Sequence, residues 1–444
     1  MDGRVVDKKH KELKKMAASS ATILAGAFVC AALFSVYTPE PVTIFANAET
    51  PEKAHAAEND IVSGSAVSTS PAIMEDINKD VIMPGQDSEE VSLATEPAVI
   101  VNDMNSTGSS IDPSVLSDTY IKIKKPEGAM EASITDNYLY KTVSLNITGV
   151  SDSAVKLSEV ERHYGDKVYN GHTEKILLKP YLRAFLNGES KIDPAENEEY
   201  EKADRSLKKH KTNDPLIAYT VRANEDDSAE LMLTLDTVYE PSLFEDDDYY
   251  YISLRKPHDI YDKVIVLDAG HGGKDPGSFS LDGEVAEKKV NLSIVNAMKK
   301  YFDKQSDIKV YYTRTTDTTT YLRSRADLAN DLDADLFVSV HNNAYFTGDV
   351  YGSEVLYDEK DKSGRSKEIA GKLLTGMTEA LGTKYRGLDA GSSIYVIHHT
   401  GMPSVLVETG YLTNNSDLSI LQDKEKIDAV AERMCSIILD ELRN

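Results

Sequence analysis

The stretch KVIVLDAGHGGKDPG, residues 263–277, decides how this chain is read. Its first half is an unbroken apolar run closed by Asp268, which suits a strand covered on both faces. Its second half holds His271 among Gly270, Gly272, Gly273 and Gly277, which permit tight turns and close backbone approach. Working outward, IKVYYTR (308–314), DLFVSVHNN (335–343), SEVLY (353–357), IYVIHH (394–399) and SVLVETG (404–410) also read as strands. Between them, EKKVNLSIVNAMKKYFDK (287–304) places Val290, Ile294, Val295 and Met298 on one helical stripe. YLRSRADLANDL, SKEIAGKLLTGMTEALG and KIDAVAERMCSIILDEL read likewise. Strand and helix alternating in this way make residues 262–444 an α/β domain.

Polar residues sit at the ends of these strands. His271 follows the first, His341 closes the third and Glu408 closes the last. Open α/β sheets place their sites beyond the carboxyl ends of strands, so groups from three strands can converge there. Glu287 starts a helix sixteen residues after His271, where its carboxylate could face the same cleft. Two His and one Glu are a catalytic zinc pattern with an open fourth position, and zinc lowers the pKa of a water there to about 7. A separate carboxylate must then take and pass on the proton, and Glu408 is the candidate. Taken singly, each residue has a plainer reading. A histidine after a strand can be a hydrogen-bonded structural residue, Glu287 a helix N-terminal carboxylate facing the dipole, and Glu408 a buried ion-pair partner. The spacing from His271 to His341 is long, so no local motif such as HExxH supports the set.

Five motifs occur in order: DAGHGGKDPG, GEVAEKKVNLSI, TRTTDTTTYLRSRADLAN, ADLFVSVHNNA and MPSVLVETGYLTN. Together they resemble the zinc-dependent N-acetylmuramoyl-L-alanine amidases of the amidase_3 type, over essentially the whole last domain. The resemblance implies a mixed sheet of about six strands flanked by helices. It implies one Zn²⁺ held by His271, Glu287 and His341, with Glu408 as the catalytic glutamate. Glu287 is preferred to Glu284 because the family's ligand lies in an EK-x-x-N segment. The implied reaction is hydrolysis of the amide between the lactyl group of N-acetylmuramic acid and L-alanine of the peptidoglycan stem peptide. Arg314, Asp317 and Arg325 match a TR..D…L..R pattern, with Arg325 read as a structural ion-pair former. Asn343 and Arg386 are candidate substrate-binding residues; Asn343 could also orient His341, and Arg386 could lie near the stem peptide. His398 and His399 are read as rim residues, and Leu356–Leu373 as a possible cover over the site. Two other functions remain open: a zinc peptidase cutting elsewhere in the stem peptide, and a non-catalytic wall-binding regulator.

The rest of the chain divides by composition. The 444 residues carry 49 Lys and Arg against 74 Asp and Glu, a net charge of −25. That argues against nucleic acid as a partner, whose binder would present a basic face. Residues 1–48 join a basic tip to an uncharged apolar run from Met16 to Val36, and Ala46-Asn47-Ala48 follows. This reads as a signal peptide, or as a retained signal anchor tethering the chain to a membrane. Either way the expected location is extracytoplasmic and wall-associated. Residues 49–115 hold two basic and thirteen acidic groups and no Phe, Tyr or Trp. They are expected to form a disordered acidic linker. Residues 116–261 show short alternating runs such as YLYKTVSLNITGV and AELMLTLDTVYE between turn residues, a β-rich pattern. AELMLTLDTVYEPSLFEDDDYYYISLRKP resembles the closing strands of an AMIN-type module, which would make this a wall-binding domain. The acidic run Glu245–Asp248 reads as a solvated turn, and KIDPAENEEYEKADRSLKKHK (191–211) as a loop or exposed helix. The two cysteines, Cys30 and Cys435, are too few for a disulfide scaffold. The partners expected are peptidoglycan and the cell wall, with the chain a monomer.

Overall fold

The computed structural model describes residues 111–151, 160–170, 214–223 and 227–443. The signal-like segment, the linker through residue 110 and the charged stretch 191–211 lie outside them. Among the described residues no helix is long and apolar enough to cross a membrane.

Alternating runs in the middle region pair as antiparallel strands. These are β1 (Thr119–Lys124), β2 (Ala132–Asn137), β3 (Thr142–Thr148), β4 (Val160–Tyr164), β5 (Lys167–Asn170), β6 (Leu216–Ala223), β7 (Ser228–Leu235), β8 (Glu240–Glu245) and β9 (Tyr249–Arg255). They form two sheets, β5-β4-β1-β9-β8 and β2-β3-β7-β6. Ile121, Ile123, Ile252 and Leu254 of the first bury against Leu145, Ile147, Leu231 and Leu233 of the second. Period-two alternation is what lets each strand give one face to this core. The acidic run Glu245–Asp248 turns between β8 and β9, where Asp246 accepts from the amides of Asp248 and Tyr249 and from the Tyr251 hydroxyl.

From Lys263 the chain alternates: β10 (Lys263–Ala269), α1 (Glu287–Phe302), β11 (Ile308–Tyr312), α2 (Leu322–Asp331), β12 (Leu336–Asn343), β13 (Ser353–Tyr357), α3 (Arg365–Leu381), β14 (Tyr385–Ala390), α4 (Tyr395–His399), β15 (Ser404–Tyr411), α5 (Asn415–Leu421) and α6 (Lys424–Arg443). The sheet order is β11-β10-β12-β15-β13-β14. All neighbours are parallel except β13 with β15. The sheet is therefore mixed, as the family resemblance implied. Because β13 and β14 run backwards, they begin at the end where β10, β12 and β15 finish.

Both faces of β10 are buried, which explains its continuous apolar run. Ile265 and Leu267 pack under α1, α3 and α6, in one core with Ile294, Leu373 and Ile438. Val264 and Val266 face the other way, toward Leu328 of α2 and Ile397 of α4. Among the described residues that second face is served by two short helices, and the two β sheets of the middle region complete it. Leu139, Tyr140, Met232 and Val238 join the same core. The Tyr138 hydroxyl donates to the Tyr312 carbonyl at 2.9 Å and accepts from the Tyr312 amide at 3.2 Å. Thr237 donates to the Asp331 carbonyl at 2.8 Å, and Lys141 pairs with Asp331 at 2.9 Å. Glu240 meets both Lys309 and the Tyr311 hydroxyl.

Two expectations are corrected. IYVIHH is not a strand: Tyr395–His399 forms a short helix, and the fifth strand read from sequence is replaced by YRGLDA, β14. Ile394, Val396 and Ile397 all bury on one side of that turn, a spacing that a short apolar run cannot separate from a strand by pattern alone. Leu356–Leu373 does not cover the site. It is the end of β13 and the first half of α3, whose Ile369, Ala370 and Leu373 are core residues.

Candidate metal centre

β10 delivers the chain to the site through Asp268, which is buried and accepts from Thr313 Oγ1 and Ser339 Oγ at 2.6 Å each and from Arg325. The next three carbonyls are then pinned by two buried guanidinium groups. Arg314 donates to Ala269 and Gly270 at 2.9 and 2.8 Å, and Arg325 donates to Ala269 and His271 at 2.8 Å each. Burial and the neighbouring Arg325 push Arg314 down to about 10. This holds His271 at φ +61°, a left-handed conformation that a non-glycine residue adopts only when its surroundings enforce it. The Arg325 ion-pair reading is thus borne out. A further clamp comes from Lys288, which donates to Asp317 Oδ2 and to the Gly273 carbonyl at 2.7 Å each.

Burial raises the pKa of Asp268, but Arg325, Ser339 and Thr313 outweigh that and hold it below the usual carboxylate range. Asp268→Asn should therefore destabilise the fold by about 3–5 kcal/mol, because it leaves a buried guanidinium without its counter-charge. A lowered native pKa contributes stability above the unfolded value of about 4, lost as pH falls through the lowered value. Urea midpoints of wild type and variant should thus differ most at neutral pH and converge on acidification. A gap unchanged down to pH 3 would mean that the charge plays no part.

His271 turns its Nδ1 to Asp275 Oδ2 at 2.7 Å, which leaves Nε2 facing inward, 3.2 Å from Glu287 Oε1. The same oxygen lies 2.8 Å from His341 Nδ1. Glu287 is the first residue of α1, where the helix dipole favours an anion. Its Oε2 accepts from the Ser278 amide at 2.9 Å, and its Oε1 from the Asn342 amide and Asn291 Nδ2 at 3.2 and 3.3 Å. Asn291 sits one turn along the same helix face and also donates to the Gly270 carbonyl at 3.1 Å. Asp275 and Asn291 were not singled out from sequence. Asn291's signal was its i,i+4 spacing from Glu287, and Asp275's its place in the glycine-rich turn.

The ligand-type atoms of His271, Glu287 and His341 lie within 4.8 Å of one another. Burial would lower the proton affinity of His271, but Glu287 and Asp275 outweigh it and hold it well above its ordinary value. Burial would raise Glu287, yet His271 and His341 hold it well below. A carboxylate shared by two imidazoles, one with its outer nitrogen already occupied, is a donor set suited to a divalent metal. Two glycines make room for it. A Cβ on Gly270 would lie 2.1 Å from His341 Nε2, and one on Gly277 would lie 2.6 Å from both Glu287 Oε2 and His271 Cδ2. Gly270→Ala should consequently displace the His341 ring and cut metal retention at least tenfold, though no ligand is changed. Equilibrium dialysis against zinc measures this; wild-type retention would show that the ring has room to move.

Glu408 lies on β15 in direct register with His341 of β12 and with Glu354 of β13. Parallel neighbours in register share a sheet face about 5 Å apart, so Glu408 stands beside the metal-type group. Asn343 turns its amide to Glu354 Oε1 at 2.6 Å, and Arg386 reaches Glu354 Oε2 at 3.3 Å while its guanidinium lies 5.0 Å above the Tyr411 ring. Both thus converge on Glu354, a buried carboxylate that the sequence reading passed over. Glu284 is exposed, and so are His398 and His399, which are not part of the metal-type group.

Residues 265–440 match the protein family described as Amidase_3, N-acetylmuramoyl-L-alanine amidase. The chain is 32% identical over 166 residues to the uncharacterized protein YqiI of Bacillus subtilis, covering 37% of this chain and 78% of that one. The chain belongs to the Amidase_3 family. It is also 35% identical over 179 residues to N-acetylmuramoyl-L-alanine amidase LytC of Bacillus subtilis. That match covers 40% of this chain and about a third, 35%, of LytC. Among solved structures it is similar to the catalytic domain of CwlV, an N-acetylmuramoyl-L-alanine amidase of Bacillus (Paenibacillus) polymyxa var. colistinus. That likeness has 32% identity and a TM-score of 0.39, and covers 41% of this chain and 98% of that domain.

Proposed function

We propose that this chain is a zinc-dependent peptidoglycan hydrolase that cleaves the amide between the lactyl group of N-acetylmuramic acid and L-alanine. The observation that carries this is the convergence of His271, Glu287 and His341 at the strand ends of an Amidase_3 domain. These three residues would hold one Zn²⁺, whose Lewis acidity polarises a carbonyl and lowers the proton affinity of water. Asp275, bonded to the outer nitrogen of His271, aims its inner nitrogen at the site. Asn291 and the amides of Ser278 and Asn342 fix the Glu287 carboxylate. Glu408, beside His341, takes the proton of the attacking water and passes it to the departing amine of L-alanine. Arg386, anchored on Glu354, would receive a carboxylate of the stem peptide. The basic tip and uncharged run at the N-terminus support action outside the cytoplasm, at the wall. The β sandwich would help to hold the enzyme there.

The test uses the full chain loaded with zinc and purified peptidoglycan. Mass spectrometry should find new amino-terminal L-alanine and intact lactyl groups. New termini at another position would make it a peptidase, and wall binding without any new terminus would make it a non-catalytic binder.

A further inference from the structure

In the described part of the catalytic region, the large apolar side chains left exposed are Leu281 (60%), Phe346 (74%), Tyr351 (45%) and Tyr385 (52%). All four stand at one end of the sheet. Leu281 lies between β10 and α1, Phe346 and Tyr351 between β12 and β13, and Tyr385 opens β14. They therefore lie at the end of the sheet where His271 and His341 stand. The β10–α1 and β12–β13 loops touch: a Cβ on Gly348 would meet Leu281 Cδ1 at 3.2 Å. The Phe346 ring lies 4.1 Å from that of Tyr345, centroid to centroid. Its loop is tied down by the Tyr345 amide on Thr413 Oγ1 at 2.9 Å and by Asn414 Nδ2 on the Gly348 carbonyl at 2.7 Å. The ledge is thus built rather than loose, and it leaves an aromatic ring in water.

The rim is divided by charge. Exposed Asp282 and Asp349 flank the Leu281–Phe346 half. At the other half Lys384 lies 5.2 Å above the Tyr351 ring, and Arg386 bonds the Tyr351 carbonyl. A stem peptide carries carboxylates and is repelled by the first half and attracted by the second. A pyranose ring is neutral, has an apolar C–H face to lay on an aromatic ring, and has hydroxyls to donate to carboxylates.

We propose that the Leu281–Phe346 ledge seats a neutral sugar ring of the glycan strand, next to the ring whose lactyl amide is cut. This rests on the proposed peptidoglycan activity but is tested apart from it. The probe is a peptide-free β-1,4-linked N-acetylglucosamine tetrasaccharide, which has no amide of the scissile kind. Titrated into the full chain, it should bind, and Phe346→Ser should weaken it about tenfold while zinc retention stays at the wild-type level. A free stem tripeptide should not displace it. The proposal is overturned if the tetrasaccharide does not bind, if Phe346→Ser leaves the affinity unchanged, if the tripeptide displaces it, or if the ledge proves to be a contact between two copies. Tetrasaccharide binding without wall cleavage would keep the ledge and overturn the activity.

Discussion

His341→Ala should abolish both metal retention and hydrolysis. A four-ligand structural zinc site is worth about 10–16 kcal/mol, so each ligand supplies about 3–4 kcal/mol. Losing one weakens binding by two to three orders of magnitude. The effect should be at the upper end here, because the Glu287 Oε1 that lies 2.8 Å from His341 Nδ1 is also the one facing His271. Without His341 that oxygen keeps one imidazole, His271, beside the Asn342 amide and Asn291. The measurement is zinc per chain after dialysis, alongside release of amino-terminal alanine. The variant should unfold at a urea concentration close to that of the metal-free wild type, since His341 is near the surface, with a side chain 15% exposed. Full metal retention in the variant would mean that the metal is held elsewhere.

Glu408→Gln should separate the two functions of the site. The substitution keeps the size and hydrogen-bonding reach of the side chain but removes the base. General acid–base groups contribute about 10²–10⁴ in rate, so kcat should fall by that factor. Zinc content and KM should hold near wild type, because Glu408 neighbours the ligand set through strand register and is not one of its members. A fall in zinc content equal to the fall in rate would make Glu408 a ligand instead. A variant with wild-type kcat would hand the proton to another group, with Glu354 across the strand the next to examine.

What was readable in advance, and what was not, follows from how local each signal is. The strands β10, β12 and β15 announce themselves because both faces are covered and their apolar runs are unbroken. His271, His341 and Glu408 then stand out as polar residues at the ends of apolar strands. β14 escaped because it is an edge strand: its Arg386, Gly387 and Asp389 carry no apolar pattern, and its residues are half-buried or exposed. The Tyr395–His399 helix misled because five residues cannot show a helical period. Asp268 and Glu354 were invisible as buried carboxylates, since nothing in a linear string tells that Arg325, 57 positions on, or Arg386, 32 positions on, will face them. The docking of Tyr138 onto β11 was hidden for the same reason, at a separation of 174 residues.

That docking bears on how such chains can be recombined. The stretch from Arg255 to Lys263 looks like a natural joint for cutting and splicing, since one compact β unit ends and the catalytic sheet begins there. Yet Tyr138, Leu139 and Tyr140, far upstream of the joint, contribute to a core that Val264, Val266 and Leu328 need covered. A graft made at that joint would carry the chemistry but strip one face of the sheet that supports it. The transferable unit is therefore not the segment with the catalytic residues but the whole span from the first sandwich strand to the last helix. Exchange between relatives should succeed only where the incoming partner brings its own cover for that face.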